Sequence, residues 1–74
     1  MSLVRKYSVT IRGHRTSFSL EEPFHEELAA IARRRGMALA ALIGQIDETR
    51  AREANLSSAI RIYVLAAVKE PGGG

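Results

Sequence analysis

Arg15-Thr16-Ser17-Phe18-Ser19-Leu20 reads as a strand. Thr16, Phe18 and Leu20 form one set of side chains, and Arg15, Ser17 and Ser19 form the other. Such period-two alternation marks a half-buried β-strand. Glu21-Glu22-Pro23 follows at once and opens a helix, because proline is tolerated in a first turn and acids suit the positive end of the helix dipole. Phe24, Leu28, Ile31 and Ala32 then recur at helical spacing. Arg33-Arg34-Arg35 sits where cations are favoured, and Gly36 suits the position just past a helix C-terminus.

Downstream, Leu39, Leu42, Ile43 and Ile46 repeat at i, i+3, i+4 and i+7, which places a second helix from about Ala38. Asp47-Glu48-Thr49-Arg50-Ala51-Arg52-Glu53 is its charged continuation or a solvated bend. Asn55 is a candidate N-cap with Ser57 as a rival. Leu56, Ile60, Val64 and Ala67 make the stripe of a third helix with Tyr63 alongside. Lys69 falls in its last turn, and Pro71 lies just beyond.

Upstream, Tyr7, Val9 and Ile11 alternate with Ser8, Thr10 and Arg12. A two-residue loop at Arg12-Gly13 or Gly13-His14 would put both apolar sets on one face and make a hairpin. Alternatively, only the second strand forms a ribbon, paired with a second copy, and Tyr7–Ile11 is an arm or a swapped strand. The pattern leaves both open.

The chain has 74 residues, enough for one domain of modest core. With 46% hydrophobic residues and no cysteine, it has apolar surface in excess and no disulfide to supplement it. Association with a second copy is the natural remedy. The net charge of +3 is compatible with nucleic acid. No apolar run approaches the roughly 20 residues that span a bilayer, so no membrane role is expected. A cytoplasmic location is the expectation. Residues 1–6 read as a flexible N-terminus, 7–69 as the domain and 70–74 as a disordered tail.

The order strand, helix, glycine, helix resembles the ribbon-helix-helix family of DNA-binding proteins, the superfamily of the methionine and Arc repressors. The resemblance runs from about Arg15 to Ile46, on Phe18, Leu20, Pro23, Leu28, Ile31, Gly36, Leu39, Leu42, Ile43 and Ile46. Gly13–Ser17 and Asn55–Arg61 look more narrowly like short bacterial members with an added C-terminal helix. The resemblance implies a mainly α fold: a homodimer with an N-terminal strand or hairpin followed by three helices. It also implies transcriptional regulation through an antiparallel β-ribbon in the major groove of double-stranded DNA.

Carried onto this chain, the resemblance makes Phe18, Leu20, Leu28, Ile31, Leu39, Leu42, Ile43 and Ile46 the dimer core. Arg15, Ser17 and Ser19 face the DNA with Arg12 and His14 beside them, and the backbone near Ala38 and Leu39 anchors a phosphate. Two departures stand against it. Glu21 is acidic at the next outward position, and Met37-Ala38-Leu39-Ala40-Ala41 lacks a capping side chain. They favour the rival reading, a dimer on the same fold that docks a protein partner.

Other features have plainer readings. Arg33-Arg34-Arg35 reads as a solvated helix end or a phosphate cluster. His14 and His25 lack metal-ligand spacing, so neither metal nor cofactor is expected. Ser17, His14 and Glu21 share one short segment with no cleft, so no catalysis is expected. Leu56–Arg61 also resembles the second helix of the ribbon fold; Ala38 is preferred because Gly36 leaves the short connection that the fold requires.

Overall fold

Arg12 and Gly13 both take positive φ, 49° and 82°. This is the signature of the two-residue turn whose twist matches a right-handed β-ribbon. The turn selects the hairpin. In the computed structural model, which describes residues 3–50 and 55–69, β1 (Val4–Ile11) pairs antiparallel with β2 (His14–Glu21) of the same chain. Then come α1 (Glu22–Arg34), α2 (Leu39–Thr49) and α3 (Leu56–Lys69). The fold is therefore mainly helical, with an N-terminal hairpin and three helices, as the sequence led us to expect.

Each boundary has a local cause. α1 carries proline in its first turn and Arg33 and Arg34 in its last. Gly36, at φ +66°, takes the left-handed conformation that ends the helix, and its N–H donates to the Arg33 carbonyl. α2 starts at Ala38, which offers no side-chain cap. α3 is capped by Asn55, whose Oδ1 accepts the Ser58 N–H at 2.8 Å. The rival cap, Ser57, has a different partner.

The fully buried side chains are Leu20, Leu28, Leu42, Ile43 and Ile60. They come from β2 and all three helices, so one core forms where these elements meet. Ile11, Phe18, Ile31, Ala32, Ile46, Leu56 and Val64 complete it, with Tyr7, Val9, Phe24 and Leu39 packed at its margin. Burying one such leucine contributes about 1.5–3 kcal/mol. α2 packs on β1, α3 packs on β2, and α1 contacts β2 and both other helices.

Two expectations change. The residues assigned to a dimer core are, apart from Leu39 at the margin, buried within a single chain, because β1 supplies the partner strand and α3 supplies a further apolar face. Residues 4–6, expected within a flexible N-terminus, lie in β1: Val4 pairs with Glu21 and Arg5 with Leu20, so β1 uses the whole length of β2. The expected tail at 70–74, and the part of the charged stretch at 51–54, lie outside the described residues.

Candidate nucleic-acid interface

Residues opposite each other in a β-pair share a face. The register places Tyr7 with Phe18, Val9 with Thr16 and Ile11 with His14, toward the helices. It places Lys6 with Ser19, Ser8 with Ser17 and Thr10 with Arg15 on the other side, and all six of these are exposed. The outward face is thus a two-stranded array of hydroxyls with a cation on each strand. Hydroxyls donate and accept; Lys and Arg add charge-assisted donors. Strands of 8 residues extend about 26 Å, and a two-stranded ribbon is narrow enough for a DNA major groove.

The helical side of the ribbon is packed through aromatic rings. Tyr7 stacks on Phe18 with ring centroids 5.6 Å apart and on His25 at 4.1 Å. His25 is thereby a stacking partner of the strand. Among the described residues no cluster of His, Cys, Asp or Glu could hold a metal ion.

The acidic departure at Glu21 has a structural answer. Arg61 on α3 donates from Nε to Glu21 Oε1 at 2.9 Å. The Arg61 hydrogen bond holds the Glu21 carboxyl below the usual glutamate range. Glu22 pairs with Arg5. Both carboxylates at this end of the ribbon are thus paired with an arginine of the same chain. The second departure stands, since α2 has no capping side chain.

The expected site residues separate into groups. Arg15, Ser17 and Ser19 lie together on the outward face. Arg12 does not join them: its Nη1 donates to Glu48 Oε2 at 2.6 Å, and Asp47 lies 3.7 Å from Nη2. His14 is exposed but lies in register with Ile11, on the helical side of the turn. Ala38 is the exposed N-cap of α2, and Leu39 turns partly into the core. Ala40 and Ala41, one turn on, line a shallow cleft with Thr10, Ile11 and Arg12.

Arg33 and Arg34 sit at the far end of α1, about 20 Å of helix from the ribbon. Arg35 donates to the Tyr63 hydroxyl at 2.6 Å. This cluster reads as a helix end.

Reading the sequence alone missed Lys6, Ser8 and Thr10 as site residues. Their alternation with Tyr7, Val9 and Ile11 was the available signal, but only the register puts them beside Arg15, Ser17 and Ser19. It missed Ser57 as well. The Ser57 hydroxyl accepts the Ser19 N–H at 3.1 Å, on the edge of β2 that faces away from β1.

Comparison with known proteins agrees with this architecture. Searches of curated proteins and of solved structures each returned no significant match. A family model described as the ribbon-helix-helix domain matches residues 4–68, from the first residue of β1 almost to the end of α3. With that match spanning the hairpin and all three helices, the chain belongs to the ribbon-helix-helix domain family.

Proposed function

We propose that this protein is a homodimeric transcriptional regulator that binds double-stranded DNA with the outward face of its β1–β2 ribbon in the major groove. The observation that carries the reading is the composition of that face. Lys6, Ser8, Thr10, Arg15, Ser17 and Ser19 are exposed together, and the nearest carboxylate is tied to Arg61. Arg15 and Lys6 suit guanine or phosphate, and the hydroxyls suit either. Membership of the family supports the same role. No catalytic step is assigned, and the proposed place of action is the cytoplasm of a bacterium, where such DNA lies.

Self-association is part of the proposal. Excess apolar surface in a short chain without cysteine points to it, while β2 finds its partner strand in β1 of the same chain. What supports a dimer is apolar surface: Leu3, Ile62, Leu65 and Val68 are each more than half exposed. Pro23 and Phe24 line an apolar groove with Leu65 and Val68. The Leu3 carbonyl accepts the Glu22 N–H beside them. Burying such surface against a second copy is favourable.

Equilibrium binding to a labelled duplex tests the reading. Arg15→Ala lowers affinity about tenfold or more, the range of one good cationic contact, and affinity falls steeply with salt as counterions are released. Affinity unchanged by Arg15→Ala would refute the assignment of the face. The rival reading, a module that docks a protein partner, draws on the uncapped α2 and the apolar groove. It predicts a fold indifferent to DNA at low salt.

A further inference from the structure

The ribbon contains its own approximate two-fold axis. An antiparallel pair of strands is symmetric about a line through the centre of a residue pair. With the axis at the Ser8–Ser17 pair, the register superposes Lys6 on Arg15, Tyr7 on Thr16, Val9 on Phe18, Thr10 on Ser19 and Ile11 on Leu20. On the outward face the side chains match in kind, cation on cation, serine on serine and hydroxyl on hydroxyl; on the inner face Ile11 and Leu20 match as buried aliphatics, while Tyr7 on Thr16 and Val9 on Phe18 do not.

The helix contacts follow the same exchange of strands. α2 packs on β1, and α3 packs on β2. Beside Thr10 lie Ala40 and Ala41; at the corresponding Ser19 lies Ser57. The helices begin alike, Leu39-Ala40-Ala41-Leu42-Ile43 against Leu56-Ser57-Ser58-Ala59-Ile60, and Ile43 and Ile60 are both fully buried. The residue ending each strand's match is ion-paired to its own helix with the charges exchanged: Arg12 to Asp47 and Glu48 on α2, Glu21 to Arg61 on α3. Only α1 has no counterpart among the described elements.

We infer that a single chain carries a complete, nearly two-fold ribbon, so that one chain reads one stretch of groove and Lys6 is a second reading residue equivalent to Arg15. The edge of β2 agrees with this. At Ser19 the edge is occupied by the Ser57 hydroxyl, so a strand from another chain would have to displace it to pair there. The proposed target of each chain is accordingly a short, approximately palindromic duplex segment. A dimer presents two such ribbons to two segments.

The inference rests on the DNA-binding reading, and its test separates the two. Lys6→Ala and Arg15→Ala are compared for binding to duplexes, with circular dichroism as the check on folding, which neither exposed side chain should disturb. Both variants are expected to lose affinity about tenfold, within threefold of each other, and each to flatten the salt dependence. Loss confined to Arg15→Ala would overturn the equivalence of the strands and leave DNA binding intact. Failure of the wild-type chain to bind any duplex would remove the DNA-binding reading itself.

A second measurement uses Leu65→Glu, which puts charge on the exposed apolar face of α3 to hold the chain monomeric. Sedimentation of this variant with a duplex of about one helical turn, roughly 10 base pairs, is expected to give one chain per duplex. A complex that forms only with two chains on that segment would overturn the inference.

Discussion

Replacing Ser57 with alanine tests how the ribbon edge is finished. The Ser57 hydroxyl accepts the Ser19 N–H at 3.1 Å, and that N–H points away from β1. Among the described residues, no other partner holds this amide. A neutral hydrogen bond contributes about 0.5–1.5 kcal/mol net, and this one is exposed, so about 1 kcal/mol is an upper figure for global stability. Its local effect is sharper. Removing about 1 kcal/mol of protection speeds exchange of the Ser19 amide about fivefold, with the rest of the ribbon changing less. Amide exchange followed residue by residue by NMR measures this directly. If β2 instead pairs with a strand from a second chain, the Ser19 amide remains protected in Ser57→Ala. That result would refute the single-chain ribbon edge.

Two further outcomes follow from the core and the ribbon end. Leu20→Ala removes a side chain with no exposed surface and should cost about 3–5 kcal/mol. That is a large part of the stability of a domain this small, and urea denaturation should show a sharply lowered midpoint; a shift under 1 kcal/mol would contradict the packing of β2 on the helices. Glu21 has its carboxyl lowered by Arg61, so its contribution is present above the ordinary glutamate value near about 4.3 and is lost as pH falls through the lowered folded value. Arg61→Ala should raise the Glu21 titration, followed by NMR, toward the ordinary range. The difference in melting temperature between Arg61→Ala and the wild type should then shrink on acidification; a constant difference would contradict the pairing.

The elements were legible because each has a local cause. The Arg15–Leu20 alternation, the stripe from Phe24 to Ala32, Gly36 after the arginines and the Leu39–Ile46 spacing all report their structure through nearest neighbours. Strand pairing was not legible in the same way. The alternation of Tyr7, Val9 and Ile11 is identical whether β1 pairs with its own chain or another, and only the turn at Arg12 and Gly13 decides. Half of the candidate site was therefore visible as Arg15, Ser17 and Ser19, while Lys6, Ser8 and Thr10 joined it through the register.

Long-range partners were equally silent in the sequence. Nothing near Glu21 announces Arg61, and nothing near Ser57 announces the Ser19 amide. Arg12 looked available for DNA from its place in a basic turn; α2 brings Asp47 and Glu48 to it from far along the chain. In each case the sequence supplied a polar residue with a sound local role, and the fold gave it another.

Titration of the isotope-labelled protein with duplex DNA at low salt, observed through backbone amide shifts, tests whether the ribbon reads DNA. The largest changes should fall on Lys6, Ser8, Thr10, Arg15, Ser17 and Ser19, with the buried faces of the helices little affected. Changes concentrated instead around Phe24, Leu65 and Val68, or none at all, would contradict the ribbon as the DNA-reading surface.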